Sequence, residues 1–187
     1  MVFSIVTPTF KQPEWVRLCA ASVADQVGVT FEHIIQDGGD GQGLEWLESM
    51  PRAHLFVEPD QGMYDALTKG ISKATGDIIG HLNSDEQYLP GTFEIVHRFF
   101  TRNPEVEVVF GDAILIGADF TPEGRAPPTL SNAGGGILFA SPRQSTDALL
   151  AVRSHHFSRK EPDPCHTCFW RLCPSGGYCL HLANWAT

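Results

Sequence analysis

Asp85 and Glu86 stand side by side just beyond the apolar run Asp77–Leu82, after Asn83 and Ser84. Two carboxylates at the end of a buried strand are costly to hold together unless something binds them. A divalent cation bridging to a diphosphate is a natural partner, because Mg²⁺ takes one or two carboxylates plus phosphate oxygens. The plain alternative is a solvated acidic loop. Asp37 opens a second cluster, Asp37-Gly38-Gly39-Asp40-Gly41. A carboxylate there can accept hydrogen bonds from a nucleobase while the glycines let backbone approach closely. An ordinary turn has the same composition. The third cluster runs from Glu58 to Gly70 and contains Asp60, Asp65 and Lys69. Asp60 can cap a helix, and Lys69 can meet a phosphate or pair with Asp65 at i, i+4. Neither G-x-G-x-x-G nor G-x-x-x-x-G-K-[ST] occurs, which weighs against a dinucleotide fingerprint and a P-loop.

The elements that must position these residues follow from hydrophobic period. Val2–Val6 reads as a buried strand ending at Thr7-Pro8-Thr9, and Pro13 opens a helix with Trp15, Leu18, Cys19, Ser22 and Val23 on one face. Phe31–Gln36 reads as a second strand, Leu44–Ser49 as a short helix and His54–Val57 as a third strand. The helical period returns from Gly62, with Met63, Ala66, Leu67, Gly70, Ile71 and Ala74 aligned and Gly76 as a stop. Asp77–Leu82 is the fourth strand, a helix through Phe93, Val96 and Phe100 ends near Asn103-Pro104, and Val106–Gly111 is the fifth. Strands alternating with helices imply an α/β fold with a mostly parallel central sheet flanked by helices. Ligands of such sheets sit outside the carboxyl ends of the strands. Thr9, Asp37, Asp60 and Asp85 all follow strands, so four loops can converge on one site.

The 187 residues suffice for one ordinary domain, and 42% hydrophobic with 19% charged residues is globular composition. A net charge of −9 disfavours a broad grip on nucleic acid. No apolar stretch is long enough to span a membrane. The opening residues lack a basic leader and a long apolar run, which predicts a cytoplasmic protein without a secretory signal. The charge is uneven: residues 1–120 carry 18 acidic against 7 basic side chains, and residues 121–187 carry 4 against 6. Past residue 120 the period is lost in Pro, Gly and Ser, apart from a short helix expected near Thr146–Val152. Cys165, Cys168, Cys173 and Cys179 crowd the tail with His155, His156 and His166 nearby. Their spacing fits no common zinc site, and free thiols are the favoured reading over zinc or disulfides. The expected organisation is a core over 1–120 and an atypical tail over 121–187, poorly ordered or a frame-shifted remnant of a longer enzyme.

Ser4-Ile5-Val6-Thr7-Pro8-Thr9-Phe10, Gln36-Asp37-Gly38-Gly39-Asp40, Glu58 through Gly70, and Thr75-Gly76-Asp77 onward to Asp85-Glu86 together resemble, in that order, the family 2 glycosyltransferases. The likeness continues through Asn103-Pro104 and Gly111-Asp112, so it covers about the first 120 residues. It implies a GT-A (nucleotide-diphospho-sugar transferase) fold, incomplete at the acceptor side. It also implies transfer of a sugar, with inversion, from a nucleotide-diphosphate donor. On the family pattern Thr7, Pro8 and Thr9 line the nucleotide pocket, Asp37 with Gly38 binds the base, and Asp60 shapes the pocket. Asp85 lies near the ribose, and Asp85 with Glu86 holds Mg²⁺ or Mn²⁺. Relatives commonly carry Asp where Glu86 stands and Asn where Thr68 stands. The acceptors implied are cell-envelope glycans or lipid-linked saccharides in polysaccharide biosynthesis, reached by peripheral association with the inner face of a membrane. Inverting transfer needs a general base to deprotonate the acceptor. No acidic helix matching the family's base occurs after residue 120, and Asp147, Glu161 and Asp163 are not nominated. The competing reading is a truncated, non-catalytic nucleotide-sugar-binding domain.

Overall fold

The computed structural model describes residues 1–116 and, beyond them, the strands at 122–126, 138–141, 149–153, 171–172 and 178–179. The first half alternates as expected: β1 (Val2–Thr9), α1 (Pro13–Ala24), β2 (Thr30–Asp37), a 3-10 helix (Glu45–Ser49), β3 (Ala53–Val57), α2 (Met63–Lys73) and β4 (Ile78–His81). There follow β5 (Gln87–Tyr88), α3 (Thr92–Arg102), β6 (Val108–Phe110), β7 (Asp112–Ile116), β8 (Pro122–Ala126), β9 (Leu138–Ser141) and β10 (Leu149–Arg153). The last described strands are β11 (Arg171–Leu172) and β12 (Tyr178–Cys179).

The central sheet has the order β3-β2-β1-β4-β10-β6, and β5-β9-β7-β8 form a second sheet. β1 pairs in parallel with β2 and β4, and β2 in parallel with β3. Seven of the eight β1 residues are buried, as a strand covered on both faces requires. Alternation divides them. Phe3 and Ile5 point into an apolar cluster with Cys19, Val23, Phe31, Phe93, Val96 and Phe100, which packs α1 and α3 on one face. Val6 points the other way, to α2, where a Cβ on Gly70 would come within 2.4 Å of Val6 Cγ1. Glycine at 70 thus sets how closely α2 lies on the sheet.

One expectation changes. The segment read as a helix near Thr146–Val152 overlaps β10, antiparallel to β4 through Val152↔Ile79 and to β6 through Leu149↔Phe110. A short apolar run suits helix or strand alike, and here the unfilled ladder positions between β4 and β6 decide. β10 lies in the central sheet, and the first compact unit runs over Met1–His156. The second unit, Phe157–Thr187, contains the antiparallel pair β11 and β12. Cys165, Cys168 and Cys173, with His155, His156 and His166, lie outside the described residues.

Candidate functional site

The parallel strands end together. Thr9 at the end of β1 is in register with Asp37 at the end of β2, and Asp37 is in register with Val57 of β3. The loops beyond are tied by main-chain bonds: Gly38 N–H donates to Thr9 C=O at 3.0 Å, and Glu58 N–H donates to Asp37 C=O at 2.9 Å. Three of the predicted loops therefore meet at one edge.

Asp37 is only 2% exposed. Its Oδ2 accepts the Gly41 N–H at 2.9 Å, whereas its Oδ1 is buried without a protein partner. The Thr9 hydroxyl, one strand away, is also buried without one. Such atoms cost roughly 1–3 kcal/mol each unless a donor or acceptor reaches them, and more where the group is charged. Side chains ending two adjacent strands are thus aimed where a ligand's polar groups can satisfy them. The Asp60 carboxylate closes over Gly38: a Cβ at position 38 would lie 2.0 Å from Asp60 Oδ2. Only glycine lets Asp60 sit there. Asp60 Oδ1 accepts the Gly62 N–H at 2.8 Å, just ahead of α2, so Asp60 organises the helix entry as well as the site.

Asp85 and Glu86 follow β4, which is anchored beyond His81 by Leu82 N–H to Val6 C=O at 3.1 Å. Glu86 Oε2 accepts the Asn83 N–H at 3.1 Å, and the Glu86 N–H returns a bond to Asn83 C=O at 3.0 Å. His81 Nε2 shares a hydrogen bond with Asn83 Oδ1 at 3.0 Å. Ser84 Oγ donates to Gln12 Oε1 at 3.0 Å, which ties this loop to the one after β1. Burial, with a smaller contribution from Asp85, pushes the Glu86 carboxyl above the usual range, despite its bonds to Asn83. A cation at this pair would reverse that penalty. Among the described residues no group of three or more His, Cys, Asp or Glu is arranged around a metal position. Mg²⁺ bound with substrate phosphates commonly takes only one or two protein carboxylates, with water and phosphate oxygens completing its shell.

Pro8 is buried, and the Thr7 hydroxyl is occupied beneath the edge, 2.9 Å from His33 Nε2 and 3.6 Å from Cys19 Sγ. Burial lowers His33 to about 3, so it is neutral, and pushes the Cys19 thiol up to about 12. Thr7 thus braces the strand under Thr9. Lys69 pairs with Asp65 at 2.7 Å and also bonds Pro59 C=O at 2.7 Å, the pairing that its i, i+4 spacing offered. Gln12, Gln36 and Lys73 were not singled out by sequence. Gln36 is fully buried one position before Asp37 and so faces the opposite side of the sheet, a burial that only the fold reveals.

Sheet, helices and edge site together define a GT-A fold, and solved structures agree. Staphylococcus aureus TarS superposes with a TM-score of 0.59 at 16% identity, over 83% of this chain and 29% of that one. Its complex with UDP-GlcNAc gives 0.56 at 17% identity, over 67% and 38%. The chain belongs to glycosyl transferase family 2, whose sequence model matches residues 4–170, past the point where motifs are legible. A PGL/p-HBAD biosynthesis glycosyltransferase of Mycobacterium tuberculosis is 29% identical over 131 residues, covering 64% of this chain and 49% of the relative. The chondroitin synthase of Pasteurella multocida is 27% identical over 112 residues, covering 57% of this chain and 12% of the synthase. The chain thus spans about half the length of the mycobacterial relative it matches.

Proposed function

We propose that this chain carries the donor site of an inverting glycosyltransferase that takes a nucleotide-diphosphate sugar with Mg²⁺ or Mn²⁺. The observation that carries the reading is the buried, unpartnered Asp37 Oδ1 beside Thr9 Oγ1, at the edge where Gly38 and Asp60 close together. A nucleobase N–H is the donor that Asp37 Oδ1 calls for. Thr9 and Pro8 form the floor, Gly38 lets the base approach, and Asp60 bounds the pocket. Asp85 is assigned to the ribose side, and Asp85 and Glu86 are the residues that would hold the divalent ion. When bound, that ion supplies charge neutralisation at the departing diphosphate. Because TarS has been solved with UDP and with UDP-GlcNAc, UDP is the first nucleotide to probe.

The proposed acceptor is a hydroxyl of a cell-envelope glycan or lipid-linked saccharide, in line with the biosynthetic relative from Mycobacterium tuberculosis. The proposed association with the cytoplasmic face of a membrane is peripheral; no helix among the described residues is long and apolar enough to cross one. Inversion requires a base on the acceptor side, and no described residue is assigned to it.

Calorimetry with UDP and other nucleoside diphosphates, with and without Mn²⁺, tests the donor site. Binding that Mn²⁺ strengthens is expected, and silence across the panel would sink the proposal. Asp85→Ala should abolish the Mn²⁺-dependent part, whereas an unchanged titration removes Asp85 from the metal. Tight binding without donor hydrolysis or transfer would select the non-catalytic donor-binding reading.

A further inference from the structure

We infer that Lys73 is a positioning residue for the donor site: through Glu58 and Gln36 it fixes the loop that lays Asp60 over Gly38. The inference rests on the donor-site reading above and adds a residue whose hydrogen bonds go to Gln36, Glu58 and Lys69 rather than to Asp37 or Asp60.

Helix α2 is a fixed platform, because Ala66, Leu67 and Gly70 are buried against the sheet. Lys69 and Lys73 are four residues apart and so project from one face of it. Lys73 Nζ donates to Glu58 Oε2 at 2.8 Å and to Gln36 Oε1 at 3.0 Å, and lies 4.9 Å from the Phe56 ring centroid. Gln36 Nε2 donates to the same Glu58 oxygen at 3.1 Å. The Glu58 N–H is bonded to Asp37 C=O, so this residue is held at both its main chain and its carboxylate. The hydrogen bond from Lys73 keeps the Glu58 carboxyl below the usual carboxylate range. One turn earlier, Lys69 holds Pro59 C=O and Asp65, and Asp65 in turn accepts the Gln61 N–H at 3.0 Å. Asp60 lies between these anchored residues, with its carboxylate over Gly38.

An ordinary surface ion pair offers a competing account. Glu58 is 45% exposed in its side chain, and pairs so placed contribute little to global stability. The two accounts differ in what they move. A mere surface pair leaves both loop order and nucleotide affinity unchanged, whereas a positioning residue shifts both while the melting temperature stays nearly constant.

The test is a double-mutant cycle on UDP affinity in Mn²⁺, using Lys73→Met, Asp60→Ala and the pair. Lys73→Met should weaken UDP about tenfold, and the double variant should bind no worse than Asp60→Ala alone, because Lys73 acts through Asp60. Lys73→Arg should recover most of the loss, and Glu58→Gln should reproduce part of it from the other side of the contact. Losses that multiply in the double variant, or an unchanged affinity in Lys73→Met, overturn the inference. Amide exchange on the free protein provides an arm that needs no nucleotide. In Lys73→Met, residues 58–62 should exchange faster while β1 keeps its protection; unchanged exchange at 58–62 overturns the brace. If the parent protein binds no nucleoside diphosphate, the donor-site reading falls, and the exchange arm still judges whether Lys73 holds the loop.

Discussion

Asp37 concentrates the local argument. Its neighbours dictate one hydrogen bond, from Gly41, and leave Oδ1 buried and unanswered. Asp37→Ala should cost nucleotide affinity about 1.5–3 kcal/mol, the range for hydrogen bonds to charged groups, read by calorimetry as roughly a ten- to hundredfold rise in Kd. Its effect on the melting temperature should be small, since the lost Gly41 bond is offset by removal of the unsatisfied Oδ1. His33 makes the contrasting case of a buried polar group that serves the fold. Its folded value of about 3 lies below the ordinary 6.5, so the unfolded chain binds the extra proton between those limits. The His33 contribution is therefore complete above about pH 6.5 and is lost as pH falls toward 3, at up to about 1.4 kcal/mol per pH unit. Urea midpoints measured from pH 7 down to pH 4 should fall less steeply in His33→Gln than in the parent.

Among the elements, α2 bears most directly on the site, since it carries Lys69 and Lys73 and follows the Asp60 loop. Its distance from the sheet is set at Gly70. Gly70→Ala puts a methyl group 2.4 Å from Val6 Cγ1 and should destabilise by about 1–3 kcal/mol through overpacking. Adding Val6→Ala should return part of that loss; thermal denaturation of the single and double variants checks both statements. The helices and parallel strands of this half were legible because each carries its own period, as in the i, i+3, i+4 spacing of Met63, Ala66, Leu67 and Gly70. The brace was not legible. Gln36, Glu58 and Lys73 become neighbours only when β2, β3 and α2 stack, and no local pattern encodes a contact across 37 residues of chain.

Over the whole molecule, β10 belongs to the central sheet. It lies between β4 and β6, so backbone donors and acceptors of both depend on it. Val152→Pro removes a ladder N–H from this central strand and should destabilise on the order of 2–4 kcal/mol, measurable by chemical denaturation. A chain whose core ended at residue 120 would be indifferent to it. By itself the sequence determined the alternation of strands and helices, the four polar loops and the family, because period and motif are properties of neighbouring residues. Tertiary structure alone decided that Leu149–Arg153 is a strand, that Thr7 turns inward to His33, and that Asp37 keeps an unanswered oxygen. It also decided that Lys73 reaches the Asp60 loop. Pairing partners, burial and hydrogen-bond satisfaction are relations between distant segments, and they take values only once the chain has folded back on itself.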